Sequence, residues 1–126
     1  MKSIDPLLNR VHDAEHYPCV HFVIESGRYL FDYDFTRCFL GMTGALGGQV
    51  ETSRHTVSNS DRAQVPSDGT VVLMTNLMGG LHVGLYYCGH VLHLSESGAR
   101  YQSLRSLSKL HKRIRFYDAK DFLQRA

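Results

Sequence analysis

The stretch LHVGLYYCGHVLHLS, Leu81 to Ser95, decides the fold because it encodes two strands and the turn between them. Apolar and polar residues alternate on both sides of Cys88-Gly89, and a two-residue segment ending in glycine is typical of a tight hairpin turn. A turn of this length predicts the pairs Tyr87 with His90, Tyr86 with Val91, Leu85 with Leu92 and Gly84 with His93. We therefore predict an antiparallel hairpin with a single register.

The two faces of this hairpin differ in character, since successive side chains point to opposite sides of a strand. One face is apolar and suited to a core: it carries Leu81, Val83, Leu85, Leu92 and Leu94. The other face carries His82 and His93 as diagonal neighbours, with backbones roughly 7–8 Å apart. Gly84 lies opposite His93 and leaves room above the sheet. This face is not needed for the core, so the histidines are either a functional pair or exposed residues without a role. A zinc site with a further ligand is a third interpretation, although no ligand motif of recognised spacing accompanies it.

The elements around the hairpin indicate an α+β domain. Upstream, the β-branched run from Thr70 to Met74 predicts a buried strand, and a helix of two to four turns is predicted to begin at Cys19. Between them, residues 41–69 are rich in Gly, Ser, Thr and Asn and predict a long loop, with a short strand near Gln49. Downstream, leucines at helical spacing predict a helix, and RIRFYD predicts a last strand; the helix residues are Leu104, Leu107 and Leu110, with Ser103 as N-cap. We expect residues 1–126 to form one domain.

Composition limits the function classes that fit the chain. Hydrophobic residues make up 43% of the 126 residues, which is enough for a core. No apolar run approaches the ~18 residues of a membrane span, so no membrane-spanning segment is expected. The first sixteen residues carry charges where a signal peptide needs an apolar stretch, which predicts synthesis in the cytoplasm without Sec-type export. A net charge of +2 gives no reason to expect nucleic acid as a partner. GALGG follows no strand and opens no helix, so no phosphate cradle or cofactor is expected.

Three cysteines, Cys19, Cys38 and Cys88, form neither a disulfide framework nor a CxxC metal motif. Cys38 and Cys88 are predicted to be packing and turn residues. Asp32 and Asp34 lie two apart, which would place both on one side of a strand if the chain is extended there rather than helical. Without further ligands this pattern favours solvated residues over a metal site. A basic group near the C-terminus favours a solvated face, with a stripe facing anionic cell wall or nucleic acid as the alternative; it comprises Arg105, Lys109, Lys112, Arg113 and Arg115.

Cys19 is predicted to lie in the first turn of its helix, because Pro18 suits the first helical position. A helix N-terminus favours the thiolate, whose ordinary pKa is near ~8.5, and a nearby protonated histidine lowers a thiol pKa further. A nucleophilic thiol also needs a base whose tautomer a third group fixes. Cys19, His82 and His93 satisfy this need, with Cys19 attacking, His82 accepting the proton and His93 orienting His82. The alternative is that Cys19 is a small core residue, as cysteine often is.

YPCVHFV, HVGLYY and VLHLSESG, in this order, resemble the NlpC-type papain-like cysteine peptidases, which cut peptidoglycan stem peptides. In that family a helix that begins at the cysteine packs on an antiparallel sheet, the base histidine begins a strand, and the third polar residue lies in the next strand. Cys19, His82 and His93 match these three positions. PSDGTVVLM is similar to the segment before the base strand, and RYQSLRSL with RIRFYD is similar to the tail of the phage branch.

The resemblance implies a papain-like NlpC-type fold and a peptidoglycan hydrolase at a phage tail tip. Its partners would be stem peptides and other phage tail proteins, and it would act at the cell wall as part of the virion. An alternative is an inactive structural tail-tip protein that keeps the fold. Pro18 and Val20, where the family usually has Asp and a small residue or Trp, and the long loop at 41–69 motivate that alternative. A cytoplasmic cysteine hydrolase acting on another amide is a third interpretation.

Overall fold

The structure, a computed structural model, describes residues 2–13, 19–35, 61–79 and 81–118. Its helices are a short 3-10 helix, Asp5–Leu7, then α1, Cys19–Phe31, and α2, Leu104–Ser108. Its strands are β1 Asp61–Ala63, β2 Val71–Asn76, β3 Leu81–Tyr87, β4 His90–Ser95, β5 Gly98–Gln102 and β6 His111–Asp118. A helix followed by a mainly antiparallel sheet, with a short helix before the last strand, confirms the predicted α+β class. No helix among these residues is long and apolar enough to cross a membrane.

The six strands form one sheet in the order β1-β6-β2-β3-β4-β5, and every neighbouring pair is antiparallel. The β3–β4 hairpin has the register predicted from the sequence, from Tyr87 paired with His90 to Gly84 paired with His93. Cys88 and Gly89 have φ angles of 48° and 88°. Two successive residues with positive φ define the turn type whose twist matches that of the paired strands. The turn chemistry therefore sets which residues face each other farther along the hairpin.

α1 covers one face of the sheet and begins at Cys19, as predicted. Its apolar side packs on the leucines and valines that the hairpin directs to that face; the buried members of this first cluster include Val20, Phe22, Val23, Val83, Leu85, Leu92 and Leu94. The ring of Phe35 packs directly against the backbone of α1 at Gly27. A Cβ atom at Gly27 would lie 2.1 Å from Cδ2 of Phe35, so only glycine fits there.

The opposite face of the sheet is also packed, which corrects the expectation that it is not needed for the core. A second apolar cluster there consists of Val72, Met74, Val91 and Leu107, with Tyr86, Leu104, Ile114 and Phe116 against it. Four successive residues of β2, 71–74, are fully buried, as expected for a central strand covered on both sides. His82 and His93 therefore lie on a partly covered surface rather than an open one.

Two strands were not predicted, and one helix is shorter than predicted. β5 lies between the predicted hairpin and the predicted helix, where the sequence analysis placed no strand, and β1 begins inside the predicted loop. α2 does begin after Ser103, whose hydroxyl accepts a hydrogen bond from the N–H of Ser106 at 3.1 Å. The helix ends at Ser108, however, and Leu110 lies beyond it with 56% of its surface exposed, so its predicted place in the helix is wrong. Pro18, Cys38 and residues 41–60, including the strand predicted near Gln49, lie outside the described residues.

The segment before α1 is tied to the rest of the fold by polar contacts. Arg10 forms an ion pair with Glu25 of α1 at 2.6 Å, and the hydroxyl of Tyr87 donates to the carbonyl of Lys2 at 2.7 Å. Residues 32–34, which follow α1, are not part of a strand. Asp32 has a φ of 57° at the end of the helix, and Asp34 pairs with Arg28 at 3.4 Å.

Candidate active site

The two hairpin histidines contact each other as the register predicted. Nε2 of His82 and Nδ1 of His93 are 2.9 Å apart, and their rings meet edge to face with centroids 5.0 Å apart. The register explains this contact: His93 lies opposite Gly84, so His82 is its diagonal neighbour on the same face. A Cβ atom at Gly84 would lie 2.7 Å from Cγ1 of Val91 and 3.1 Å from Cβ of His93. The predicted room above Gly84 is therefore occupied by the side chains of Val91 and His93.

His93 is buried, with 4% of its surface exposed, and His82 is partly buried. This excludes the interpretation of both residues as exposed sheet histidines. On its other side, Nε2 of His93 lies 2.7 Å from Oε1 of Gln102, the last residue of β5. Both nitrogens of His93 are thus within hydrogen-bonding distance of a neighbouring side chain. The sequence prediction did not include Gln102, because it placed no strand between the hairpin and the helix that Ser103 caps.

Burial keeps both imidazoles neutral. It lowers the pKa of His82 to about 3, and electrostatic interaction with His93, His111 and His12 acts in the same direction. Burial also lowers the pKa of His93; the hydrogen bond that His93 donates to Oε1 of Gln102 opposes this shift, whereas His111 and Arg100 add to it. A neutral His82 retains a lone pair at neutral pH, which a general base requires.

Two further histidines lie near the pair, although the sequence analysis gave them no role. His12, from the segment before α1, and His111, at the start of β6, both act on the charge of His82. Nδ1 of His111 lies 2.8 Å from the carbonyl oxygen of Leu107, so it donates there. No group of three or more metal-ligand side chains suited to a metal ion is found among the residues that the structure describes. In addition, the nitrogens of His82 and His93 that face each other are too close to admit a metal between them.

Cys19 is the first residue of α1 and is partly buried. The backbone N–H groups of Val83, Val20 and Cys19 itself are directed at the thiol and lower its pKa, but burial raises the pKa by more. The thiol is therefore neutral at neutral pH. The expectation of a lowered thiol pKa is wrong for this site, because the helix terminus acts as predicted but is outweighed by desolvation.

The contact with Val83 places the thiol where β3 and β4 separate. The N–H of Tyr86 donates to Thr70 and its carbonyl accepts from Gly69, so the backbone groups of Tyr86 point towards the β2 side. Alternation then directs the N–H of Val83 towards β4. Among the paired positions of these two strands, the last is Gly84 with His93. The thiol of Cys19 therefore occupies the position beyond that last pair, next to the residue that follows His82.

The structure thus brings His82 and His93 into direct contact and places Cys19 one residue along β3 from His82. The predicted approach of the sulphur to a ring nitrogen of His82 stays a prediction. Of the basic residues singled out from the sequence, Arg105, Lys109, Lys112 and Arg113 are exposed, whereas Arg115 contacts the hydroxyl of Tyr117 at 3.2 Å.

A scan against models of protein families finds none that matches this chain, and a search of curated proteins finds no matching sequence.

Proposed function

We propose that the protein is a cysteine peptidase or amidase with Cys19 as nucleophile, His82 as general base and His93 as the residue that orients the base. The observation that carries the proposal is the 2.9 Å contact between His82 and His93 beside the position where β3 receives the thiol of Cys19. Cys19 packs with the α1 side of the sheet, and its thiol lies near the backbone of Val83, the residue that follows His82. Thiol-mediated acyl transfer requires a nucleophile, a base and a group that orients the base, which are the roles proposed here for Cys19, His82 and His93.

In the proposed reaction, Sγ of Cys19 attacks the carbonyl carbon of an amide while the thiol proton passes to His82. The proton then passes to the leaving amine, and the acyl group remains on sulphur as a thioester. His82 then takes a proton from a water molecule, which attacks and hydrolyses the thioester. The proton passes from His82 to the released sulphur of Cys19.

The substrate class and the location rest on the resemblance of YPCVHFV, HVGLYY and VLHLSESG to NlpC-type peptidases. We propose that the protein has the papain-like NlpC-type fold, that the substrate is the stem peptide of peptidoglycan, and that the protein acts as part of a phage tail tip. The α+β architecture, with α1 packed on an antiparallel sheet, is compatible with that fold. The other tail proteins would then be its partners.

The test compares two cysteine variants on purified peptidoglycan. Cys19→Ala is expected to abolish the release of new amino termini, because the nucleophile is lost. Cys88→Ala is the matched control: Cys88 is exposed in the hairpin turn and is expected to keep full activity. Absence of release by the wild-type protein, or equal release by wild type and Cys19→Ala, would contradict the hydrolase proposal.

A structural tail-tip protein is the second candidate function. The observation that favours it is that burial raises the pKa of Cys19, which weakens the thiol as a nucleophile at neutral pH. This candidate predicts full particle yield from Cys19→Ala together with no wall cleavage by the wild type. Cleavage by a monomeric wild-type protein that never joins a particle would instead contradict the tail location.

A further inference from the structure

We propose that Gln102 is a positioning residue that fixes the tautomers of both histidines, so that Nδ1 of His82 carries the lone pair that accepts the thiol proton. The inference rests on the proposed function for its catalytic meaning. Its structural content, the tautomer of each imidazole, is independent of any activity.

The side chains of His82, His93 and Gln102 form a row across the neighbouring strands β3, β4 and β5. Gly84 pairs with His93 and Val91 pairs with Gln102, so each member of the row is the diagonal neighbour of the next. The two contacts along the row measure 2.9 Å and 2.7 Å. Both are typical hydrogen-bond lengths for nitrogen and oxygen partners. The row is continuous from the base histidine to the edge strand β5.

The chemistry at one end of this row determines the proton positions along it. An amide oxygen only accepts, so Oε1 of Gln102 requires a proton on Nε2 of His93. Nδ1 of the neutral His93 is then an acceptor and requires a proton on Nε2 of His82. The remaining nitrogen of His82, Nδ1, is left without a proton and is the basic atom.

The opposite amide orientation would reverse every proton in the row. If the NH₂ group of Gln102 faced His93, Nε2 of His93 would accept and its Nδ1 would donate to His82. Nδ1 of His82 would then carry the proton and would be unable to accept one from a thiol. The amide orientation of a single glutamine thus separates a competent base from an incompetent one.

The position of Gln102 is supported by its neighbours in the chain. It ends β5 and is followed by Ser103, whose side chain caps α2. The backbone on both sides of Gln102 is therefore held, by the pairing with β4 and by the cap. The burial of His93 strengthens the effect, because a hydrogen bond in a low-dielectric site is electrostatically stronger than in water.

The contact with Gln102 also acts on the pKa of His93. His111 and Arg100 both act to lower this pKa, whereas the hydrogen bond that His93 donates to Oε1 of Gln102 raises it. Gln102 thus opposes the loss of basicity that burial imposes on His93.

The test is the protonation state of each histidine nitrogen, measured by nitrogen–proton NMR on the full chain at neutral pH. The wild type is expected to show a proton on Nε2 and none on Nδ1 for both His82 and His93. Gln102→Glu keeps an acceptor in place and is expected to retain both tautomers while raising the pKa of His93. Gln102→Met matches the shape without an equivalent acceptor and is expected to give mixed tautomers at His93.

A proton on Nδ1 of His82 in the wild type would overturn the inference, and this outcome does not depend on whether any variant folds. Unchanged tautomers in a folded Gln102→Met variant would overturn it as well. On peptidoglycan, Gln102→Met is expected to lower kcat at least tenfold with little change in KM, and Gln102→Glu is expected to restore most of the rate. Predicted tautomers in an inactive wild type would support the positioning inference and contradict only the proposed function.

Discussion

At the scale of single residues, the thiol of Cys19 is subject to two opposing effects. Three backbone N–H groups, two of them in the first turn of α1, stabilise the thiolate, while burial destabilises it and dominates. The sequence predicts the first effect, since Pro18 and the apolar pattern locate the helix start. It does not predict the second, because the depth of a side chain depends on how β3 and β4 separate beside it. A helix terminus therefore indicates where a cysteine lies without determining its charge.

Alkylation with iodoacetamide tests this balance. At pH 7 we expect the exposed Cys88 to react before Cys19, since Cys19 is partly buried and its pKa is raised. The rate at Cys19 should rise steadily with pH beyond the ordinary thiol range near ~8.5. Peptide mapping assigns each label, and Cys88→Ala removes the competing signal. Faster labelling of Cys19 than of Cys88 at pH 6–7 would instead indicate a thiolate stabilised by a protonated His82.

At the scale of secondary-structure elements, the β3–β4 hairpin was predicted in full because its two-residue turn defines every later pair. The contact between His82 and His93 followed from that register alone. Gln102 was not predicted as a site residue for the opposite reason. Its strand, β5, has only partly buried or exposed residues, and its sequence runs directly into the leucines of α2. The glycine at 98, with a φ of 120°, was the available signal for a second turn.

Gly84→Ala tests how closely the hairpin packs around the histidines. The added Cβ would lie 2.7 Å from Cγ1 of Val91, a stiff and fully buried side chain, and 3.1 Å from Cβ of His93. Overpacking of this kind costs about 1–3 kcal/mol, so we expect a loss of that order in the free energy of unfolding, measured in urea. We also expect the NMR signals of the His93 ring to shift, because the ring must move to make room.

Gly79→Ala is the matched control for that variant. Nothing lies within 4 Å of a Cβ at Gly79, so only the strain of its positive φ of 90° remains. This control is expected to leave the His93 signals in place. Wild-type stability and wild-type His93 signals in Gly84→Ala would contradict the geometry described for the pair.

At the scale of the whole molecule, the sheet is packed on both faces, by α1 on one side and α2 on the other. The sequence predicted the first core from the alternation in the hairpin. The second core depends on β2 and β6 lying side by side, a long-range pairing that no local pattern specifies. As a result, a histidine pair that the sequence placed on a free face is enclosed by the fold. Its protonation is therefore coupled to the stability of the molecule.

Acid should destabilise the protein through this coupling. The pKa of His82 falls from 6.5 in the unfolded chain to about 3 in the folded protein, and that of His93 is also lowered. Between these values the unfolded state binds more protons, so the stabilisation is complete above pH 6.5 and is lost as the pH falls towards 3. For His82 alone the loss at pH 4 is at most about 3 kcal/mol.

Urea unfolding from pH 7.5 to pH 4 measures this loss of stability. His82→Gln, which has no imidazole to protonate, should show a smaller loss relative to its own stability at pH 7.5. His90→Gln, an exposed position in the same hairpin, should keep the wild-type slope. Equal slopes in the wild type and His82→Gln would show that His82 accepts a proton in the folded state without strain, contrary to its burial here.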